Sequence, residues 1–196
     1  MIHSMDRSGY FGASDTTKVM SKSRSSKTWK LWWDSKLGAP TDHYETKYTK
    51  AGTIYEHPIL LSIDENMQLD GQIILEKYKL RVNYDGYIDG HIYEIKTHNA
   101  SKEFDLSNAY WMQCQVEMFV YQEMHKQWFL PEFKNLTLVS YALYDNEYEA
   151  DEDEIVIDKD RLVFHTVKYD KAWIKGEYLP KVKELAKSLK KGRFPV

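Results

Sequence analysis

The sequence predicts an α/β protein in which one mixed β-sheet is flanked by helices. Segments with apolar residues at helical spacing occupy both ends of the chain, and five β-prone runs lie between them. A long helical segment separates the third run from the fourth. A chain of 196 residues with 42% hydrophobic content is long enough for one sizeable core and short for two. We therefore expect a single domain over residues 1–196.

The N-terminal elements are short helices after a loosely ordered start over 1–8. Ser14 is expected to cap the first helix, and a polar, basic loop follows over 21–26. Tryptophans and leucines at helical spacing then predict a second helix that stops at Gly38. A third helix is predicted over 45–65, with a break or bend caused by Pro58.

The central elements are three antiparallel strands and a long helix. The strands are predicted over 72–76, 78–84 and 91–97, and Asp89-Gly90 predicts a tight turn before the last of them. The elements that follow are a helix over 106–125, a strand over 136–144, an acidic loop over 145–154, a strand over 161–167 and a helix over 169–191 with a candidate break at Pro180.

Composition excludes several classes of site and location. The single cysteine, Cys114, excludes an internal disulfide framework, a four-cysteine zinc site and a four-cysteine iron–sulfur cluster. Apolar runs such as 59–63 are too short to span a membrane, and Asp6 and Arg7 stand where a signal peptide would be apolar. We therefore expect a soluble, cytoplasmic protein with no membrane partner.

Charge is distributed unevenly, although the formal net charge is only −3. Acidic residues concentrate over 145–160, whereas basic residues concentrate over 18–30 and 181–193. Local patches of charge, more than the net value, decide where a phosphate backbone can bind. The composition is therefore compatible with a nucleic-acid partner.

Asp85, Glu94 and Lys96 form the pattern D-x₈-E-x-K on the predicted hairpin. The tight turn brings Asp85 near Glu94, and strand alternation points Glu94 and Lys96 to one face while Ile95 points into the core. Carboxylates and a backbone carbonyl suit Mg²⁺ or Mn²⁺, and a neighbouring lysine can orient or deprotonate water. This pattern indicates phosphodiester hydrolysis. The alternative is a set of turn residues and a solvated strand face.

Glu56 and Gln113 are further candidates with two interpretations each. Glu56 is either an exposed helix residue or a third carboxylate of the metal site, whereas His57 is interpreted as a packed or solvent-facing histidine. Gln113 either bonds its neighbours within a half-buried helix or projects into an active cleft to orient water or phosphate.

Three N-terminal residues are candidate phosphate ligands. Ser14 at a helix start and the guanidinium of Arg24 complement an anion, as does Arg7. Taken singly, these residues are better explained by an ordinary cap or by a solvated surface charge.

Together these segments resemble the phage-type alkaline exonucleases of the YqaJ viral recombinase family. Five blocks occur in the order of that family, namely 7–14 (RSGYFGAS), 22–29 (KSRSSKTW), 52–56 (GTIYE), the hairpin with NYDG at 83–86 and EIK at 94–96, and 109–115 (AYWMQCQ). The hairpin is one residue shorter than the pattern, and Asn83 replaces an expected serine, although both side chains can bind phosphate.

The resemblance implies a PD-(D/E)xK nuclease fold and a 5′-to-3′ exonuclease that digests one strand of linear double-stranded DNA. The products would be mononucleotides and a 3′ single-stranded tail. It also implies two bound Mg²⁺ ions, for which Mn²⁺ would substitute, a homotrimer ring, and a single-strand annealing protein as partner in phage recombination inside a bacterial host.

The resemblance also assigns roles to the candidate residues. Asp85 would bridge the metals, Glu94 and the Ile95 carbonyl would complete one metal site, and Glu56 would serve the second through water. Lys96 would activate the attacking water with support from Gln113. The residues expected to hold a 5′-terminal phosphate are Arg7, Ser14, Arg24 and Asn83.

Two other classes of function remain open. A RecB-like or endonucleolytic enzyme could use the same fold, although the iron–sulfur members need four cysteines. A non-catalytic DNA-binding or annealing protein, or an acidic DNA mimic, is the alternative outside enzymes. A pure binder has no reason to gather carboxylates beside a phosphate, which argues against that class.

Overall fold

A five-stranded sheet lies at the centre of the protein, with its strands in the order β1-β2-β3-β4-β5. The computed structural model describes residues 8–40, 45–128, 133 and 135–195. β1, β2 and β3 are antiparallel, β4 is parallel to β3, and β5 is antiparallel to β4. The sheet is therefore mixed, as predicted. The strands are Gln68–Leu75 (β1), Leu80–Ile88 (β2), His91–Asn99 (β3), Asn135–Leu143 (β4) and Leu162–Val167 (β5).

Helices precede, interrupt and follow the sheet. Of the described helices, none combines the length and apolar character needed to cross a bilayer. They are Thr16–Val19 (α1, after a 3-10 turn over Ala13–Asp15), Lys27–Lys36 (α2), Lys47–Ile63 (α3), Asn108–Trp128 (α4), Lys171–Trp173 (α5) and Leu179–Lys190 (α6, after a π-helical turn over Ile174–Tyr178).

The first helix begins differently from the prediction. Ser14 is not the cap, because it lies inside the 3-10 turn. Gly12 precedes that turn, and its N–H donates a hydrogen bond to Oδ2 of Asp15 at 2.7 Å. The acid three residues later therefore anchors the start of the turn. The predicted end of α2 is confirmed, since Gly38 follows the helix with a φ of +93°.

Of the break or bend predicted at Pro58, the structure shows no break. α3 continues through Pro58 to Ile63, although the proline has no N–H to donate within the helix. Tyr55, Ile59 and Leu60 are buried, and this packing against the sheet offsets the missing hydrogen bond. The helix therefore stays intact beside Glu56.

The hairpin turn is confirmed, whereas the strand limits differ. Asp89 and Gly90 have φ values of +48° and +84°, which is the conformation of a two-residue hairpin turn. β1 begins at Gln68, four residues before the prediction. The first residues of the strand were not predicted because Asp70 adopts a φ of +58° and disturbs the alternation of side chains. β2 runs from Leu80 to Ile88, later than predicted, because a 3-10 turn occupies Glu76–Tyr78.

Two apolar clusters lie on opposite faces of the sheet. The larger one contains Leu138 and the apolar face of α4, and the smaller one contains Val139 and the buried residues of α3. α3 lies very close to β2 at Gly86, where a Cβ atom would stand 2.4 Å from Cδ2 of Leu60. A larger residue there would require the buried side chain of Leu60 to move.

The acidic segment over 145–154 forms turns, and Arg161 contacts the first of them. It forms 3-10 turns over Asp145–Glu149 and Glu152–Glu154, so the predicted loop or turn is confirmed. Arg161 pairs with Glu147 and also donates to the carbonyl of Ala142 at 2.9 Å. The π-helical turn ends at Tyr178, and Pro180 lies in the first turn of α6, which follows it.

Candidate active site

The N-terminal segment reaches the sheet through a bridge between Phe11 and Leu80. The Phe11 N–H donates to the Lys79 carbonyl at 2.8 Å, and the Arg81 N–H donates to the Phe11 carbonyl at 3.0 Å. This pairing places the 3-10 turn that contains Ser14 beside β2. The segment therefore forms one side of a cleft at the sheet.

Asp85 lies where β2 separates from β3. The paired register of these strands runs from Ile88–His91 to Gly86–Tyr93. One position beyond it, Oδ2 of Asp85 accepts a hydrogen bond from the Ile95 N–H at 2.8 Å. Beyond the last backbone pair, the Ile95 N–H is therefore bonded by the Asp85 side chain. The backbone of Ile95 lies at the point where the two strands separate.

Glu94 accepts hydrogen bonds from two side chains. It is 3% exposed, and its Oε1 atom accepts from Nε2 of Gln113 at 2.6 Å. The Lys96 ammonium forms an ion pair with the same oxygen, so Glu94 and Lys96 share a face as predicted. Ile95 packs into the smaller apolar cluster, as strand alternation predicted.

Glu117 is a site residue that the sequence reasoning missed. It lies on α4 four residues after Gln113, is 1% exposed, and its Oε1 accepts from the same Nε2 atom at 2.9 Å. Its Oε2 is buried and has no hydrogen-bond partner among the described residues. The i, i+4 spacing from Gln113 was the available signal.

Glu56 stands beside two further potential ligands. Glu56, His57 and Asp70 each offer one atom, and these atoms lie within 4.8 Å of one another. Nε2 of His57 lies 3.2 Å from Oδ2 of Asp70. Glu56 lines the same cleft as Asp85 and Glu94, and His57 and Asp70 are neighbours that the sequence did not indicate.

Burial and crowded negative charge shift the pKa values of the carboxyl groups upward. Burial, followed by the charge of Glu94, raises the pKa of Glu56 to about 7. The same two causes raise the pKa values of Asp85 and Glu117 well above their ordinary range. Burial alone would lower the pKa of Lys96, but the charges of Glu94 and Asp85 outweigh it and raise that pKa. The site therefore favours a bound cation.

The carboxylates and the N-terminal turn face one cleft of about 370 Å³. Arg81 enters this cleft from β2, with its guanidinium 5.8 Å from the centre of the Tyr10 ring. Oδ1 of Asn83 accepts a hydrogen bond from Gln72 at 3.0 Å. The site residues that line the cleft are Ser14, Glu56, Asp70, Arg81, Asn83, Asp85, Glu94, Gln113 and Glu117.

The structure does not bring Arg24 into this cleft. Its guanidinium forms a two-pronged pair with Glu184 of α6, with N–O distances of 2.5 and 3.0 Å. Arg7 lies outside the described residues. Of the four residues predicted to hold a 5′-phosphate, Ser14 and Asn83 line the cleft, and Arg81 is a cationic residue there that the sequence did not single out.

The donor atoms in the cleft fit a hard divalent cation. Asp85, Glu94 and Glu56 supply carboxylate oxygens, which Mg²⁺ and Mn²⁺ prefer, and no soft ligand competes among the described residues that line the cleft. Crowded carboxylates of this kind repel one another until a cation offsets their charge.

Comparison with known proteins identifies the family. The model of the YqaJ-like viral recombinase domain matches residues 3–123, which is more than half of the chain. The chain belongs to this family. The match to the YqaJ-like domain covers every site residue named above. Among curated proteins, none matches the sequence.

Solved structures show that this YqaJ-like domain has the fold of the alkaline exonucleases, which is of the PD-(D/E)xK type. LHK-Exo, an alkaline exonuclease from Laribacter hongkongensis, aligns with a TM-score of 0.63 and 19% identity over 94% of this chain and 90% of its own. Its complex with dAMP gives the same TM-score and identity, over 93% and 89%. A phage related exonuclease from Haemophilus somnus aligns with a TM-score of 0.56 and 16% identity, over 93% and 92%.

Proposed function

We propose that the protein is a metal-dependent 5′-to-3′ exonuclease that digests one strand of linear double-stranded DNA. The observation that supports this proposal most is the convergence of Asp85, Glu94, Glu56 and Gln113 in one cleft, with Lys96 paired to Glu94. The products are mononucleotides and a 3′ single-stranded tail. In phage recombination in the host cytoplasm, such a tail is the substrate of an annealing protein.

Two divalent ions, Mg²⁺ or Mn²⁺, would be held by Asp85, Glu94, the Ile95 carbonyl and Glu56. When bound, they supply the positive charge that stabilises a phosphorane-like transition state and makes water more acidic. Lys96 holds an ammonium group beside Glu94 and orients the attacking water. Gln113 fixes the orientation of Glu94 through its amide.

The polarity of digestion rests on a phosphate site at the N-terminal side of the cleft. Ser14, Asn83 and Arg81 offer a hydroxyl, an amide and a guanidinium that complement a terminal phosphate. Arg81 lines the cleft, whereas Arg24 lies outside it and pairs with Glu184, so we assign the larger role to Arg81. The homotrimer ring and the annealing partner are proposed from the family resemblance.

The test compares linear duplexes that end in a 5′-phosphate or a 5′-hydroxyl. The wild type should release acid-soluble nucleotides from the phosphorylated end faster, by about tenfold or more, because a charge-assisted hydrogen bond contributes roughly 1.5 to 3 kcal/mol. Arg81→Ala should slow digestion of the phosphorylated end only, and Arg24→Ala should have the smaller effect.

Closed circular duplex DNA is the control for this test. Cleavage of the circle would indicate an endonuclease. Binding of DNA without any metal-dependent digestion would indicate a non-catalytic protein. Equal rates of digestion from 5′-phosphate and 5′-hydroxyl ends would contradict the proposed phosphate site and the assigned polarity.

A further inference from the structure

The side chain of Glu117 is buried in a place where its charge is costly to the fold. It is 1% exposed, and its Oε2 atom has no hydrogen-bond partner among the described residues. An apolar side chain or a neutral amide would fill the same space without burying a carboxylate. A contribution to stability therefore does not explain why residue 117 is a glutamate. The contacts of Glu117 with the residues of the cleft explain it better.

The Glu117 side chain accepts a hydrogen bond from the amide of Gln113. Nε2 of Gln113 carries two hydrogens, and its two acceptors are Oε1 of Glu94 at 2.6 Å and Oε1 of Glu117 at 2.9 Å. With both acceptors present, the plane of the amide is fixed. Without Glu117, one N–H loses its acceptor and the amide is free to rotate away from Glu94.

Glu94 depends on that amide for its own orientation. Gln113 and Lys96 both contact Oε1 of Glu94, which leaves Oε2 as the oxygen available to a metal ion. Partners that hold a ligand in this way contribute to metal affinity without touching the metal. We propose that Glu117 is a positioning residue for the metal site, acting through Gln113 on Glu94. This inference rests on the proposed function, since it assigns Glu94 to a metal.

The test measures binding of Mn²⁺ alone by titration calorimetry, with no DNA present. Glu117→Met should weaken the affinity by about ten- to a hundredfold, as is usual when the partner of a ligand is removed. Glu117→Gln keeps an acceptor for the Gln113 N–H, so its affinity should stay within about threefold of the wild type, the neutral acceptor being the weaker one.

Gln115→Met is the matched control on the same helix. Gln115 is fully buried and bonds the Lys168 carbonyl at 2.8 Å and the Asp170 N–H at 2.6 Å, away from the cleft. This variant should lose thermal stability and keep wild-type affinity for Mn²⁺. Glu117→Met should do the reverse, with metal-free stability equal to or above that of the wild type.

Three results would overturn the inference. One is wild-type affinity in Glu117→Met. Another is a Glu117→Gln variant as weak as Glu117→Met, which would mean that the charge of Glu117 acts on the metal directly. A third is a loss of metal-free stability in Glu117→Met that matches Gln115→Met. Failure of the wild type itself to bind Mn²⁺ would instead contradict the proposed function.

Discussion

One oxygen of the Asp85 carboxylate accepts a hydrogen bond from the Ile95 N–H, and the same group is the metal ligand proposed above. The structural role needs only an acceptor. The metal-binding role needs a negative charge among other acids. A change to asparagine separates the two roles, since an amide oxygen can accept the hydrogen bond but brings no charge.

Asp85→Asn should abolish Mg²⁺-dependent release of acid-soluble nucleotides and keep the protein folded. Its thermal midpoint without metal should equal or exceed that of the wild type, because a buried charge close to Glu94 and Glu56 is removed. Thermal unfolding with a metal chelator and a nuclease assay check both parts. Near-wild-type digestion by this variant would show that Asp85 is not a metal ligand.

Residues on one hairpin were the easiest to predict from sequence. Asp85, Glu94 and Lys96 are brought together by a single turn whose residues are recognisable. Arg24 was placed in the phosphate site, but its partner in the structure is Glu184, 160 residues away. Glu117 was missed because its i, i+4 spacing from Gln113 is common on helices and does not by itself indicate a site residue. Long-range side-chain pairing is what the sequence does not reveal.

The 3-10 turn over Asp145–Glu149 is held to the sheet by the ion pair of Glu147 and Arg161. Oxygens of Glu147 lie 2.7 and 2.8 Å from the guanidinium, and the pair is largely shielded from solvent. The hydrogen bond from Arg161 lowers the pKa of Glu147 below its ordinary value of 4.5. A carboxyl group with a depressed folded-state pKa stabilises the fold above its unfolded pKa and loses this contribution as the pH falls.

Glu147→Gln should therefore lower the free energy of unfolding at neutral pH by about 1 kcal/mol. The difference from the wild type should shrink as the pH falls from 4.5 through the lower pKa of the folded protein, below which the wild-type carboxyl group is neutral in both states. Denaturant unfolding of both proteins at each pH measures this difference. Glu149→Gln, an exposed acid in the same turn, is the control and should have little effect at either pH.

Elements were predicted well where periodicity was long and poorly where the backbone is unusual. α4 and the mixed order of strands were expected from apolar spacing. The unbroken α3 was not, because packing of Tyr55 and Leu60 outweighs the local preference of Pro58. The first residues of β1 were not predicted, because Asp70 has a left-handed conformation that interrupts the alternation expected of a strand.

For the whole molecule, the raised pKa values link stability to pH and to metal. A carboxyl group whose pKa is higher in the folded protein destabilises the fold as the pH rises above its unfolded pKa. For Glu56 this window runs from 4.5 to about 7, and the raised pKa values of Asp85 and Glu117 change the stability in the same direction. Without metal, the protein should lose stability as the pH rises through this window.

A divalent ion should offset this loss. Excess Mg²⁺ should raise the thermal midpoint more at about pH 8 than at about pH 5, where protonated carboxyl groups no longer bind it. Thermal unfolding with Mg²⁺ or with a chelator at both pH values checks this, and Asp85→Asn should show a smaller difference. An equal gain at both pH values would contradict a carboxylate metal site.

The single cysteine gives the protein an internal reporter. Cys114 lies on α4 between Gln113 and Gln115, is fully buried, and has a thiol pKa that burial raises. A thiol-specific reagent can reach it only when α4 separates from the sheet, so the rate of labelling in native buffer measures that local opening. Because Gln113 and Glu117 lie on the same helix, a bound metal ion should slow the labelling. The same kinetics, followed in variants of the candidate active site, would show how firmly α4 is held against the sheet.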